Sequence, residues 1–267
     1  MREQQPKKRL GQHFLHAPGI IDRIIAAIAA RPDEHLVEIG PGRGAITLPL
    51  LACGPTLDVI EFDRDLITDL QALANTTNGR LRVHHEDALA ADLCAIAGEE
   101  KLRVVGNLPY NISTPLLFRL IEQRACIQDM HFMLQKEVVE RMVCPPGSRE
   151  YGRLSVMVQY HCEAQRLFTI GPGAFNPPPK VESAFVRLIP RAHPPFAHTV
   201  DERTFADVVR MAFSQRRKTL RNAMKSWLEK DDFTDAGIDP GLRAEQLGLE
   251  EFARLTLAAK RRKPTSD

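Results

Sequence analysis

Cysteine is scarce and unpatterned in this chain. The five residues Cys53, Cys94, Cys126, Cys144 and Cys162 never form C-x-x-C, and their odd number argues against a closed disulfide framework. A reducing compartment and no metal are the expectation. No stretch reaches the ~18 consecutive apolar residues of a spanning helix. Basic residues at 7–9 precede an apolar stretch at 24–30, as in a secretion signal, but Asp22 and Arg23 break its apolar region. A cytoplasmic protein follows from that reading. With 16 Gly and 19 Pro among 267 residues, the composition is neither collagenous nor low-complexity, and 43% hydrophobic against 26% charged residues is that of an ordinary globular protein. At ~150 residues per domain this length suggests about two domains.

A large excess of one charge is also lacking, because 36 Lys and Arg face 34 Asp and Glu. The distribution is uneven. Residues 191–267 carry 15 basic and 12 acidic side chains, against 21 and 22 in residues 1–190. The excess is concentrated in Arg216, Arg217, Lys218 and Arg221 and again at 260–263, with a shorter cluster at 7–9. Such runs suit either a solvated helix face or a nucleic-acid partner.

Ile20, Ile21, Ile24, Ile25 and Ile28 recur at helical spacing and predict a helix lying on a core. From 36 to about 189, short apolar runs alternate with helix-period segments, the rhythm of a parallel sheet wound with helices. Strands are expected at 36–40, 57–61, 81–85 and 103–107, with helices to about 53, over 65–74 and from Ser113-Thr114-Pro115 to about 124. In the last, a capping hydroxyl followed by proline supplies the start. Further strands are expected at 130–134, 155–160 and 181–189. The proline-rich stretch 190–195 reads as an interdomain connector. Beyond it the pattern is helical: Phe205, Val208, Val209 and Ala212 make one stripe, and Leu220, Ala223, Met224, Trp227 and Leu228 make another along a helix expected over 215–228. The fold class is therefore α/β, a Rossmann-like sheet with helices on both faces in residues 1–190, followed by a small all-helical domain in 191–267.

Chemistry concentrates at strand ends. Glu38-Ile39-Gly40-Pro41-Gly42-Arg43-Gly44 closes the first strand with glycines that permit a tight turn and close backbone approach to a ligand. Its G-x-G-x-G spacing is not the dehydrogenase G-x-G-x-x-G. An acid before the first glycine would repel a pyrophosphate but suits a ligand with an ammonium group, which favours S-adenosylmethionine. Glu61, closing the second strand, stands where a carboxylate accepts ribose hydroxyls. Asp87, just after the third, is placed to accept from an exocyclic adenine amine. The fourth strand ends in Asn107-Leu108-Pro109-Tyr110. Adenine N6 is a poor nucleophile because its lone pair is delocalised into the ring. The Asn107 side-chain carbonyl and the Leu108 main-chain carbonyl can each accept one N6–H and draw that lone pair out of the ring plane. Tyr110 offers a stacking face. In-line attack on a sulfonium methyl then needs positioning more than acid–base help.

With those residues in place, the sequence resembles the rRNA adenine N6,N6-dimethyltransferases, in blocks at 8–15, 37–44, 106–114, 130–137, 151–156, 175–184 and 213–222. The resemblance implies that His13 and Leu15 help close over the cofactor, Gly40 meets its methionyl part, Glu61 its ribose and Asp87 its adenine, while Asn107 bridges cofactor and target base. The family usually has Asn where this chain has His13. It also implies that Phe175, in Phe175-Asn176-Pro177-Pro178-Pro179-Lys180, holds a flipped adenine against Tyr110, and that Arg216, Arg217, Lys218 and Arg221 grip RNA phosphates. The expected substrate is a pair of adjacent adenosines in a hairpin near the 3′ end of 16S rRNA, within the small ribosomal subunit or its precursor. The alternatives are a 23S rRNA adenine methyltransferase of the antibiotic-resistance type and a protein that is chiefly a ribosome-assembly factor. Nothing in the sequence demands more than a monomer.

Overall fold

A computed structural model describes residues 12–262, and side chains as far as residue 259. The basic clusters at 7–9 and 260–263, and the start of the block at 8–15, lie outside the described residues and side chains.

The chain divides into two compact units. One comprises the described residues up to Val139 together with Gln165–Pro190; the other comprises Glu140–Ala164 and the described residues from Arg191 onward. The sequence reading put 140–164 with the sheet, and these residues instead group with the helical unit.

In the first unit a two-residue strand β1 (Phe14–Leu15) precedes helix α1 (Pro18–Ile28), whose Ile24 and Ile28 are buried as the isoleucine stripe requires. There follow β2 (His35–Ile39), α2 (Thr47–Ala52), β3 (Thr56–Glu61), α3 (Arg64–Ala74), β4 (Leu81–His85), α4 (Leu93–Ala97), β5 (Leu102–Asn107), α5 (Ser113–Glu122), β6 (Ile127–Gln135) and α6 (Lys136–Val143). After α7 (Arg153–His161), which belongs to the second unit, come β7 (Cys162–Ile170), β8 (Phe175–Asn176) and β9 (Ser183–Pro190). Seven strands form one sheet in the order β4-β3-β2-β5-β6-β9-β7. Pairs from β4 to β6 are parallel, and β6 pairs antiparallel with β9. Every residue of β2 is buried, as expected of a central parallel strand covered on both faces. The chain winds outward from β2 to β4 and then crosses back to β5. The winding direction therefore reverses between β2 and β5, and a crevice opens at their carboxyl ends. A Cβ at Gly106 would overlap the carbonyl oxygen of Ile39, so glycine is what allows β5 to lie against β2 in this register.

Two buried ionic clusters brace this sheet. Arg103 of β5 holds Asp129 of β6 through both carboxylate oxygens at 2.9 and 3.1 Å, Glu34 at 2.7 Å and the Ile28 carbonyl at 2.7 Å. Asp58 of β3 meets His35 and His84 at 2.5 Å each and Arg82 at 2.6 Å.

Several local expectations are corrected. Residues 155–160 are helix, within α7, and not strand; seven of the nine residues of α7 are buried, and a helix apolar on every side loses the periodicity that would reveal it. The edge strand β7 was not anticipated, since its largely exposed Glu163, Gln165 and Arg166 mask it. Ser113 does not cap α5; its hydroxyl donates back to the Tyr110 carbonyl at 3.2 Å. Cys94 and Cys126 form a disulfide, with Cα atoms 5.3 Å apart and 32 residues of separation that no local spacing could reveal.

The second unit is helical beyond residue 191, with α8 (Glu202–Ala212), α9 (Leu220–Ala223), α10 (Lys230–Ala236) and α11 (Leu249–Arg262). The helix expected over 215–228 is broken. A 3-10 turn at Phe213–Gln215 precedes the four-residue α9, whose Leu220 and Arg221 N–H groups donate to the Leu242 and Pro240 carbonyls. The apolar stripe still packs, with Leu220, Ala223, Met224 and Leu228 buried. Among the described residues no helix is long and apolar enough to cross a membrane.

Candidate active site at the carboxyl edge of the sheet

The crevice between β2 and β5 opens into a cavity of about 1010 Å³ when the open solvent at its mouth is counted. Its wall includes His13, Gly40, Gly42, Glu61, Asp87, Asn107, Leu108 and Tyr110. Residues from the ends of four parallel strands are thus gathered on one side of the sheet.

The cofactor side is built by the glycine turn. Gly40 and Gly42 sit at φ +68° and +56°, a conformation strained for residues with a Cβ. A Cβ on Gly42 would also press within 3.2 Å of the Phe14 ring. Gly40 N–H donates to the Ile60 carbonyl at 2.9 Å, joining the turn to β3. Glu61 accepts from the Asp63 N–H at 2.7 Å with one oxygen and from the Gly42 N–H at 3.3 Å with the other. A carboxylate has about four acceptor positions, so Glu61 keeps acceptor capacity for a hydroxyl of a nucleoside. Burial pushes the Glu61 carboxyl up, the backbone N–H groups of Asp63, Gly42 and Phe62 only partly oppose this, and the Asp63 charge adds to the rise. Glu38, 1% exposed, accepts the Thr47 hydroxyl at 2.6 Å. Burial pushes it up to about 7 against the Thr47 bond, with the neighbouring Glu61 charge adding to the rise. Asp87 accepts the Leu89 N–H with one oxygen at 2.9 Å, which leaves the other as an acceptor.

On the opposite side, the Asn107 Nδ2 donates to the His13 carbonyl at 2.9 Å. That bond occupies the amide's donor end and keeps its carbonyl oxygen as the acceptor. The Leu108 N–H is used by the Met133 carbonyl at 3.2 Å. The Tyr110 ring stacks on the His13 ring with centroids 5.6 Å apart and planes at 29°. Because the Pro177 carbonyl can only accept, the 2.7 Å contact to His13 Nδ1 puts a proton on that nitrogen. Gln12 Nε2 donates to Asp63 at 2.9 Å. Residues 12–15 therefore form a strap running from the end of β3 past Asn107 to Pro177.

A model of the family described as "Ribosomal RNA adenine dimethylase" matches residues 3–260. The chain belongs to the ribosomal RNA adenine dimethylase family. It is an enzyme that methylates adenines of ribosomal RNA. It is 56% identical over 254 residues to the Ribosomal RNA small subunit methyltransferase A of Pseudomonas aeruginosa, spanning 95% of this chain and 94% of that one. With the protein of the same name from Xylella fastidiosa it shares 56% over 254 residues, covering 94% and 95%. Among solved structures, a dimethyladenosine transferase from Plasmodium falciparum superposes with a TM-score of 0.77 at 27% identity, covering 91% of this chain and 96% of that one. The 23S rRNA methyltransferase ErmE, at 23% identity and a TM-score of 0.68 over 92% and 99%, shares the fold.

Three residues that the sequence put at the site do not line the cavity. Phe175 is 2% exposed and packs into the core with Leu15, Ile170 and Phe185. Its strand β8 pairs with β1, placing Phe175 opposite Leu15. A ring buried this way offers no face to a base, so the expected clamp between Phe175 and Tyr110 is not formed in this arrangement. Leu15 is buried by the same pairing and supports the strap from behind. Glu38 lies beneath the glycine turn. Conversely, sequence reasoning missed Gln12, Phe14 and Phe62, which do line the cavity. Phe62 is 58% exposed and directly follows Glu61, so the strand-end reading that found Glu61 could have found it.

In the helical unit, Arg216, Arg217, Lys218 and Arg221 are all exposed. Arg216 is already engaged there: it donates to the Arg149 carbonyl and lies 3.6 Å from Glu245.

Proposed function

We propose that this protein transfers methyl groups from S-adenosylmethionine to N6 of two adjacent adenosines in a hairpin near the 3′ end of 16S rRNA, giving N6-dimethyladenosines. It works in the cytoplasm, as a monomer, on the small ribosomal subunit or its precursor, and also serves late subunit assembly. The observation that carries the reading is one cavity lined by Gly40, Glu61 and Asn107, with the Asn107 amide oriented by the His13 carbonyl. The names of the relatives at 56% identity support the small-subunit context.

The residues present suit the methyl donor. Glu61 keeps acceptor capacity for a ribose hydroxyl, Asp87 keeps one oxygen for the adenine amine, and the positive-φ glycines leave room for the methionyl end. Glu61 on the cavity wall and Glu38 beneath the glycine turn place carboxyl groups near the methionyl end, and when ionised these complement a sulfonium and an ammonium. When bound, S-adenosylmethionine supplies an electrophilic methyl group on sulfur.

Everything else is done by this chain's own groups. The Asn107 side-chain oxygen and the Leu108 main-chain carbonyl accept the two N6–H bonds of an extruded adenine and turn the nitrogen lone pair toward the methyl group. Tyr110 stacks on the base. A monomethylated adenine still has one N–H for either carbonyl to hold, so a second transfer to the same nitrogen uses the same groups. Arg217, Lys218 and Arg221, with Arg216, meet phosphates of the RNA stem.

Mass spectrometry of rRNA fragments, after incubation of the pure protein with cofactor and unmethylated small subunits, tests the reading. Two adjacent dimethyladenosines near the 3′ end are expected, and 16S rRNA left unmethylated there would refute it. Replacing Arg217 and Lys218 together by Glu should weaken RNA binding and flatten its dependence on salt; an unchanged salt slope would exclude that patch.

A further inference from the structure

The Tyr110 and Ser183 hydroxyls lie 2.6 Å apart. Ser183 is wholly buried and opens β9, opposite Gln135 of β6, whereas Tyr110 lies in the loop that follows β5. Because the sheet order is β5-β6-β9, this bond reaches over β6 to tie two strand ends together. Burial pushes the Tyr110 hydroxyl's pKa up, and the Ser183 bond opposes the rise. A buried hydroxyl left without a partner is costly, so each of these groups holds the other in place.

A stacking platform works only if its plane is held. The tyrosine ring turns about two bonds. Anchoring the hydroxyl oxygen fixes the first torsion, and the preference of the phenolic hydrogen for the ring plane restrains the second. The His13 ring stacks on one face of the tyrosine. Ser183 itself is not among the residues lining the cavity, so it can act only through the tyrosine.

We propose that Ser183 is a positioning residue for the methyl-transfer reaction, setting the plane on which the target adenine stacks by anchoring the Tyr110 hydroxyl. This rests on the reading that Tyr110 stacks the base. The effect should be larger for the second methylation than for the first. A monomethylated adenine has only one N–H left for Asn107 or Leu108, so its placement depends more on the ring.

The test uses the full chain on unmethylated small subunits, with Ser183→Ala, Tyr110→Phe, the double variant and Tyr110→Ala. Rates, cofactor affinity by calorimetry, and the ratio of mono- to dimethyladenosine are measured for each. Ser183→Ala and Tyr110→Phe should each slow transfer roughly tenfold, the factor for losing one buried hydrogen bond worth ~1.4 kcal/mol. Both should accumulate monomethyladenosine at unchanged cofactor affinity, and the double variant should be no worse than either single one. A merely structural serine would leave the product ratio unmoved and add its loss to that of Tyr110→Phe, which would overturn the proposal. If Ser183→Ala does not fold, Tyr110→Phe decides alone, since it keeps the ring and removes only the bond; a parental product ratio would overturn the proposal. If Tyr110→Ala retains the parental rate, the stacking reading fails and takes this inference with it. If Tyr110→Ala is impaired while Ser183→Ala is silent, only the role of Ser183 fails.

Discussion

The sheet carries buried acids in two regions that behave oppositely. In the body of the sheet, Asp58 and Asp129 are surrounded by donors. Burial drives each carboxyl up, but the bonds from His35, His84 and Arg82 in one case, and those from Arg103 with the His131 ring 3.6 Å away in the other, hold both well below the usual range. At the carboxyl edge, Glu38 and Glu61 have a hydroxyl and backbone N–H groups as partners, and their carboxyls are raised. Body acids are matched by cations of the chain itself and serve stability. Edge acids are satisfied as hydrogen-bond acceptors, with no cationic partner among the described residues, and a cationic ligand would complement them.

The largest expected effect lies in the body. Asp129→Ala leaves the Arg103 guanidinium buried without its main partner and should cost about 3–5 kcal/mol of unfolding free energy, read from denaturant titration; a loss below 1 kcal/mol would remove the distinction between the regions. Next is Glu38→Gln, which keeps an acceptor for Thr47 but cannot ionise. A glutamate raised to about 7 takes stability away as pH climbs from its unfolded range near 4.5 through about 7. The Gln variant should therefore be more stable than the parent by up to about 3 kcal/mol at pH 8, with the difference gone below about pH 4. Parallel pH profiles for the two proteins would contradict the raised carboxyl. The smallest effect is on binding. Glu61→Gln should weaken S-adenosylmethionine by roughly tenfold to a hundredfold, the range for one charge-assisted hydrogen bond, while unfolding changes far less than in Asp129→Ala. Calorimetric titration checks this, and undiminished affinity would take Glu61 out of the site.

The parts of the site legible in the sequence are those fixed by local rules. Gly40 and Gly42 announce a turn because only glycine adopts their φ freely, and Glu61, Asp87 and Asn107 stand at the ends of short runs whose pattern reads as strands. Parallel strands bring such ends to one edge, so the motif residues meet without any knowledge of long-range pairing. What was not legible depends on such pairing. Phe175 shares a motif with its neighbours, yet the pairing of β8 with β1 decides that its ring faces the core. Ser183 carries no signal of its own until β9 lies beside β6. The strap through Gln12 and His13 is defined by bonds to Asp63, Asn107 and Pro177, each far away in sequence. In the helical unit the apolar stripe was read correctly while the helix was not, because stripe residues stay buried even when the backbone bonds of α9 go to Pro240 and Leu242.

The central claim is that Asn107 holds the target amine in line with the methyl donor. Single-turnover transfer of tritiated methyl groups to unmethylated small subunits, comparing Asn107→Ala with the parent, tests it most directly. The account predicts a rate lower by at least about a hundredfold with RNA affinity nearly intact; transfer at the parental rate would contradict it.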